Sequence, residues 1–166
     1  MRIDLTNLFN GSNEVVPIDF TLDLKELEYS GYNPIRDGAI VKGSIYAKAG
    51  VVYLDCDVAF DFYGVCDRCA EDITNRFSFK LDKILVSEMA NDVDFDDYIV
   101  VENGVFDLDE LIEEEITLFL PAKMLCSEDC KGLCMQCGKN LNLGNCNCKK
   151  EVDPRMAALL QLLDEE

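Results

Sequence analysis

Cysteine placement constrains this chain more than any other feature of its sequence. Six of the nine cysteines fall within a window of 23 residues, and two more form a CDRC motif. The window contains Cys126, Cys130, Cys134, Cys137, Cys146 and Cys148, and the motif contains Cys66 and Cys69. The odd number, the tight clustering and the acidic MRID start, which lacks a signal-peptide n-region, favour thiolate chemistry in a reducing compartment over a disulfide framework.

The cysteine-rich window carries a specific metal-binding signal. Its CMQCG motif at 134–138 has the two-residue spacing that turns two thiolates toward one ion, and the glycine relieves the tight turn. A CNC pair eight residues later supplies two more thiolates, so we predict a tetrahedral structural zinc site, with an iron–sulfur cluster as the alternative. The predicted ligands are Cys134, Cys137, Cys146 and Cys148, with Cys126 and Cys130 as alternates that replace a ligand or add further thiols around the site.

The CDRC motif is a weaker signal, because no second pair of cysteines lies near it in the sequence. The ITNRFSFKL segment after it is typical of a strand, whereas a thioredoxin-like redox pair opens a helix. We therefore interpret Cys66 and Cys69 as a second thiol pair that tightens a hairpin turn or reaches a metal through tertiary contact. Cys56 lies in an alternating strand pattern and is expected to fill the core.

The chain contains no histidine, which limits the chemistry open to it. Ser-His-Asp and Cys-His catalysis are excluded, and so is every zinc site that uses a histidine ligand. The GKN sequence at 138–140 lacks the hydroxyl residue and the glycine spacing of a phosphate loop, and no dinucleotide fingerprint follows a strand. We therefore predict a non-enzymatic protein with no catalytic residues.

The formal net charge of −18 is unevenly distributed. Residues 1–120 carry −17, the cysteine-rich segment 123–150 carries +3, and twelve acids and no base lie between Lys83 and Lys123. This acidic band is either a solvated face that keeps the protein soluble or a docking surface for a basic partner, including mimicry of nucleic acid. The charge argues against a generic nucleic-acid coat, and no DNA partner is predicted. Candidate partner-binding residues are Glu113, Glu114, Glu115, Lys131 and Lys139.

Alternation of apolar and polar residues predicts strands at 41–48, 54–62 and 76–82. Their short connections favour an antiparallel meander with one solvated face, since parallel pairing needs crossover segments. The RIDLTNL and EVVPIDF segments are expected to add edge strands.

The apolar period becomes helical from Asp107, which predicts an acidic helix that packs on the sheet. Asp107 and Glu110 resemble a capping box, and Pro121 ends the helix. The predicted fold class is α+β: an antiparallel meander with this helix, a C-terminal cysteine-rich zinc module and a terminal helix. The predicted organisation comprises an acidic body at 1–121, a metal-binding module at 122–152 and, opening at Asp153 and Pro154, a terminal helix at 153–166 that packs on the body or on a partner.

Apolar stretches are short throughout the chain. The longest, at 116–122, is well below the ~20 residues that a bilayer-spanning helix needs. We therefore expect a soluble, cytoplasmic protein with no membrane partner.

The motifs taken together resemble those of one known family. CDRC in the strand region, an acidic helix ending in LFLP, CSEDCKGLCMQCGKNLN, the CNC pair and DPRMAAL are similar to the YceD family of bacterial large-subunit ribosomal RNA accumulation proteins. Met135 stands where the family more usually has proline, which leaves the ligand spacing intact. The resemblance implies a non-enzymatic factor that supports accumulation of 23S ribosomal RNA, and so maturation of the large subunit, in bacteria or plastids.

The charge distribution favours protein contact over RNA contact for such a factor. Because the acidic body would repel phosphate, we expect its acidic face to bind a basic ribosomal protein or a large-subunit assembly factor. One alternative is direct binding of precursor 23S rRNA by lysines around the metal, although four thiolates on a divalent ion add about −2 and nearly cancel the local +3. The other alternative is a zinc-thiol redox sensor, in which surplus cysteines oxidise and release the zinc.

Overall fold

The computed structural model describes residues 1–88 and 98–148. The predicted terminal helix at 153–166 and part of the acidic band lie outside the described residues. The described elements, in chain order, are β1 (Arg2–Asp4), α1 (Thr6–Phe9), β2 (Val15–Leu22), β3 (Ala39–Lys48), β4 (Val51–Val65), β5 (Asp72–Val86), β6 (Tyr98–Val100), a 3-10 turn (Glu102–Gly104), β7 (Val105–Asp107) and α2 (Leu108–Phe119). Within the described part of the chain, no helix is long and apolar enough to cross a membrane.

The strands form two sheets, and the fold class is α+β as predicted. The larger sheet has the order β2-β3-β4-β5-β6, and a second sheet pairs β1 with β7. The strand β3 runs antiparallel to β2 on one side and to β4 on the other. The predicted strands at 41–48, 54–62 and 76–82 lie within β3, β4 and β5.

The all-antiparallel prediction was wrong at one edge, because β6 pairs with β5 in parallel. The register aligns Ile84 with Tyr98 and Val86 with Val100. Eleven residues, 87–97, separate β5 from β6, which is close to the dozen that a parallel crossover needs. The result is a mixed sheet. A three-residue strand is too short to show an alternating pattern, so sequence periodicity gave no sign of it.

The chain divides into two compact units. The first comprises Met1–Gly64 and Asp72–Met124, and the second comprises Val65–Glu71 and Leu125–Glu166. This division differs from the sequence-based boundaries, since the CDRC segment belongs to the same unit as the cysteine-rich window. Eight of the nine cysteines therefore lie in the second unit.

The core of the first unit is built from the alternating face of β4 and from one face of α2. Cys56 on β4 is 1% exposed, and burial raises the pKa of its thiol to about 11, which confirms it as a core residue. On α2, Ile112 and Ile116 are fully buried. Contacts that join α2 to β5 include the Phe119 ring, which stacks on Phe79 with centroids 4.7 Å apart, and the Glu115 carboxylate, which pairs with Lys83 at 2.9 Å.

The start of α2 differs in detail from the predicted capping box. Asp107 occupies the N-cap position, but its side chain makes no capping hydrogen bond. Its carboxylate instead accepts a hydrogen bond from Arg2 Nε at 3.1 Å, which lowers the pKa of Asp107. Arg2 and Asp107 are direct neighbours in the register of β1 and β7. A charged partner from a distant part of the chain thus holds the Asp107 carboxylate at the start of the helix.

Substitutions on the buried and the exposed face of α2 should differ in their effect on the free energy of unfolding. Ile116→Ala is expected to lower the free energy of unfolding by about 2–5 kcal/mol, because it leaves a cavity in the core. Leu118→Ala, two residues away on a side chain that is 80% exposed, should change it by less than about 0.5 kcal/mol. Denaturant unfolding of both variants measures this, and equal losses would contradict the assigned packing.

Candidate metal centres

Eight cysteines of the second unit form two groups of four. Within each group the four sulfur atoms all lie within 4.8 Å of one another. Site A consists of Cys66, Cys69, Cys126 and Cys130, and site B consists of Cys134, Cys137, Cys146 and Cys148. All nine cysteines of the chain are free thiols. Among the described residues, each site can therefore offer one metal ion four sulfur ligands and no other donor type.

Site A begins with a tight turn at the CDRC motif. The backbone N–H of Cys66 donates to the carbonyl of Glu71 at 2.8 Å, and the N–H of Ala70 donates to the carbonyl of Cys66 at 2.9 Å. Ala70 at the end of the turn has a positive φ of 57°, which costs an alanine about 1 kcal/mol relative to glycine. The turn brings both thiols of the motif to one side.

Site B begins with the same turn at the CMQC motif. The backbone N–H of Cys134 donates to the carbonyl of Lys139 at 2.8 Å, and the N–H of Gly138 donates to the carbonyl of Cys134 at 2.9 Å. Gly138 has a φ of 70° and occupies the position that Ala70 holds in the first turn. The chain thus contains two copies of one C-x2-C turn, each of which supplies half of a four-thiol group.

The sulfur–sulfur distances fit a tetrahedral metal. Sulfur ligands at about 2.3 Å from a tetrahedral zinc lie about 3.8 Å from one another. In site A the separations are 3.7 Å between Cys66 and Cys130 and 3.6 Å between Cys69 and Cys126. In site B, Cys134 and Cys146 are 3.3 Å apart. Both groups therefore have about the size that a bound divalent ion requires.

Backbone amides lower the pKa of the first thiol in each C-x2-C turn. The N–H groups of Cys137 and Gln136, which point at the sulfur of Cys134, lower the pKa of that thiol to about 6. Burial raises the pKa of Cys66, but the backbone N–H donors of Cys126, Arg68 and Cys69 outweigh burial and lower it to about 6. In both turns the donors include the second and third residues after the first cysteine, and Cys66 has a further donor in the N–H of Cys126.

Other thiols of each group hold their protons more tightly. The hydrogen bond with Cys137 raises the pKa of Cys148 to about 12. A backbone hydrogen bond at Glu71 lowers the pKa of Cys69, but burial and hydrogen bonds with neighbouring thiols raise it to about 12. Four thiols at this spacing cannot all ionise without a cation, because like charges repel. Each group can therefore bind a cation that neutralises it.

The structure groups the predicted site residues differently from the sequence. The four predicted ligands form site B, whereas the alternates Cys126 and Cys130 do not join them. They lie with Cys66 and Cys69. Sequence reasoning missed site A as a set because its halves are 57 residues apart, from Cys69 to Cys126. The sequence signal that could have revealed site A is the repeat of the C-x2-C spacing. The repeat is less obvious because the first motif is followed by Ala70, whereas the second is followed by Gly138.

The predicted partner-binding residues occupy different environments. Glu113 and Glu114 are exposed on α2, but Glu115 is half-buried in its ion pair with Lys83. Lys131 and Lys139 are exposed in the second unit. Lys139 Nζ donates to the carbonyl of Asn145 at 2.9 Å, which ties this lysine to the loop of site B.

Comparison with known proteins identifies the family. A family model described as "Large ribosomal RNA subunit accumulation protein YceD" matches residues 54–163, which include all eight cysteines of the two sites. The chain belongs to the YceD family. This membership supports a role in ribosome biogenesis. No solved structure matches the chain.

Relatives of the chain occur in bacteria and in a plant. The uncharacterised protein YlbN of Bacillus subtilis is 30% identical over 100% of this chain and 98% of its own length. The uncharacterised protein Rv2926c of Mycobacterium tuberculosis is 31% identical over 80% of this chain and 59% of its own length. A maize protein named "Large ribosomal RNA subunit accumulation protein YCED homolog 1, chloroplastic" is 26% identical over 89% of this chain and 61% of its own length.

Single cysteine substitutions should distinguish ligands from the core thiol. Cys130→Ser is expected to reduce the number of divalent metal ions bound at saturation from two to one, because site A loses a ligand. Cys56→Ala should leave the number at two, since this buried thiol is outside both groups. Elemental analysis per chain measures this. Loss of metal in the Cys56 variant, or two ions in the Cys130 variant, would contradict the assigned ligand sets.

Acid should release the metal only below neutral pH. Protons compete with a metal for thiolate, and in each site one thiol has a pKa of about 6 even without a metal. A bound cation holds these thiols ionised to still lower pH. Metal should therefore stay bound at pH 7 and dissociate in acid, as followed with a chromophoric indicator. Complete release at pH 7 would contradict this.

Proposed function

We propose that this protein is a non-enzymatic ribosome biogenesis factor that supports accumulation of 23S rRNA and assembly of the large subunit. Two structural zinc ions hold its cysteine-rich unit, and an acidic face of its first unit binds a basic ribosomal protein or assembly factor. Membership of the YceD family supports the ribosomal part of the proposal, together with the name of the maize relative. No step in this function requires a catalytic residue.

Zinc is the metal that best suits the two sites. All-thiolate, four-coordinate sites are typical of structural zinc, and an open fourth position is typical of catalytic zinc. Each site offers four sulfurs within 4.8 Å of one another, which fills every tetrahedral position. An iron–sulfur cluster also uses four thiolates, but a cluster spreads its ligands wider than a single ion does. The 3.3–3.7 Å separations favour the single ion.

The zinc ions would act mainly by folding the second unit. Most of its described residues are exposed, and its eight thiols repel one another once ionised. In small metal-binding modules the free energy of metal binding is largely the free energy of folding. Zinc would therefore give this unit a fixed surface, and chelation would remove it.

The outer face of α2 is the proposed partner-binding surface. Glu110, Glu113 and Glu114 are exposed there, and together with Thr117 and Leu118 they line a groove of about 460 Å³. Leu118 is 80% exposed and adds an apolar contact to an otherwise acidic rim. A Lys- and Arg-rich segment with an occasional apolar residue, as ribosomal proteins carry, complements such a groove in charge and in polarity. Glu115 takes no part, because Lys83 already binds it.

Charge in the second unit favours this partner over RNA. Its described residues contain three bases and four acids. Each zinc with four thiolates adds a further charge of about −2, so two sites make the unit clearly negative. Exposed Lys131 and Lys139 could still contact phosphate locally, and direct binding of precursor rRNA is the alternative outcome of the experiment below.

A redox-sensor function has less support than it had from sequence. Such a sensor uses surplus thiols beside a zinc site. All eight cysteines of the second unit fall into two complete groups of four, and the ninth is buried in the core of the first unit. No cysteine is left over to act as a sensor thiol beside either site.

Neutralising the groove should weaken capture of a basic partner. We expect the double variant Glu113→Gln, Glu114→Gln to recover roughly 2- to 30-fold less partner at low salt, from the loss of two exposed charge pairs. The difference should shrink as salt screens the charges. The matched control is Glu26→Gln, Glu28→Gln, which removes the same charge from two other exposed acids of the first unit. Capture from growing cells after mild crosslinking, with and without ribonuclease, measures both.

Ribonuclease separates the two candidate functions. Basic ribosomal proteins that survive digestion and depend on Glu113 and Glu114 would support the acidic face as the recognition surface. Precursor large-subunit RNA that is lost on digestion, with no effect of either variant, would instead assign recognition to the zinc-bearing unit. Equal losses of captured partner in the groove and control variants would contradict the proposed site, because they would show a general effect of net charge.

A further inference from the structure

One side chain from the loop of site B donates a hydrogen bond to one of the four sulfur atoms of site A. Asn142 lies between the two halves of site B, after Cys137 and before Cys146. Its side-chain Nδ2 donates to Cys130 Sγ at 3.2 Å, and its Oδ1 accepts the backbone N–H of Lys131 at 2.8 Å. From within the other site, the asparagine therefore holds the sulfur of a site A ligand and the backbone of the residue that follows it.

The loop that carries Asn142 is itself anchored to the first turn of site A. The backbone N–H of Asn142 donates to Asn140 Oδ1 at 2.9 Å, and Asn140 Nδ2 donates to the Glu71 carboxylate at 2.9 Å. Glu71 also accepts the backbone hydrogen bond that closes the turn at Cys66. A continuous chain of hydrogen bonds thus runs from the site A turn through the site B loop to Cys130.

Contacts also run from site A toward the start of site B. Arg68 lies inside the CDRC turn, and its carbonyl accepts the backbone N–H of Leu133 at 3.1 Å. Its guanidinium donates to the carbonyl of Cys130 at 2.9 Å. Leu133 directly precedes Cys134, the first ligand of site B. Ordering of either turn therefore restricts the backbone of the other.

We propose that sites A and B bind zinc cooperatively and that Asn142 is the positioning residue that couples them. This inference rests on the two zinc sites of the proposed function. Zinc at site B closes the loop between Cys137 and Cys146, which fixes Asn142 where its N–H stabilises the Cys130 thiolate. Without zinc at site B the loop is free to open, and the Cys130 sulfur then lacks this donor. Zinc binding at site A must in that case also order the loop, which costs conformational entropy. Linkage requires the effect to be reciprocal.

The coupling should be measurable because donors to metal-bound ligands matter for affinity. Loss of such a donor typically weakens metal binding by about 10- to 100-fold. We expect a site A whose partner site is destroyed to bind zinc about 10-fold or more weakly than site A in the intact chain. Site B should weaken by the same factor when site A is destroyed.

A double-mutant cycle on the full chain tests the proposal. Zinc is titrated against a chromophoric chelator in the intact chain and in variants without site B (Cys146→Ser, Cys148→Ser) or without site A (Cys66→Ser, Cys69→Ser). Asn142→Ala is then introduced into the intact chain and into the chain without site B. It should weaken site A in the intact chain about 10-fold or more, and by much less where site B is already absent.

Two further variants control for local disruption of the loop. Leu143→Ala changes an adjacent side chain that is 79% exposed and should leave both affinities unchanged. Asn142→Asp keeps an oxygen for the Lys131 N–H but cannot donate to sulfur, so it should weaken site A at least as much as Asn142→Ala. If the chains without site B fail to fold by circular dichroism, the Asn142 variants in the intact chain still decide whether site A depends on the donor.

Each result bears on the proposal. Equal zinc affinity of site A with and without site B, equal cost of Asn142→Ala in both backgrounds, or unchanged affinity in Asn142→Ala and Asn142→Asp would each overturn it. Independent zinc binding at both sites would leave the ribosomal function untouched. Absence of partner capture with coupling intact would overturn the ribosomal function alone, because the titration uses purified protein and zinc only.

Discussion

Mutual repulsion of four closely spaced thiolates is the constraint on which the cysteine-rich unit depends. Sulfur atoms 3.3–3.7 Å apart can ionise together only around a cation. The backbone favours ionisation at each site, since amide N–H groups point at the first sulfur of each C-x2-C turn and lower its pKa to about 6. In the proposed function, metal binding, thiol ionisation and folding of this unit are therefore one process, for which the chain supplies two four-thiol groups.

The sequence predicted site B but not site A, and the difference has a physical cause. The four ligands of site B lie within 15 residues, from Cys134 to Cys148, so spacing alone brings them together. Site A joins a hairpin turn to a segment 57 residues later, and only the tertiary fold decides that encounter. Its turn also ends at Ala70, which adopts the left-handed conformation that glycine usually supplies. Glycine there would have made the repeat visible.

The fold was predictable where a pattern extends over several residues. Alternation identified β3, β4 and β5, and it placed Cys56 in the core. The parallel pairing of β6 and the ion pair of Arg2 with Asp107 were not predictable, because each depends on one short segment meeting a distant one. The acidic face was visible as a charge count, but only the structure separates Glu115, which binds Lys83, from the exposed Glu113 and Glu114.

The coordination of the metal in the protein as isolated tests the central claim most directly. X-ray absorption at the zinc edge reports the type and distance of the atoms around the ion. The account predicts four sulfur neighbours at about 2.3 Å and no nitrogen or oxygen ligand, because two closed four-thiolate sites leave no position for water. A mixed sulfur and oxygen shell, or a short metal–metal distance typical of a cluster, would contradict it.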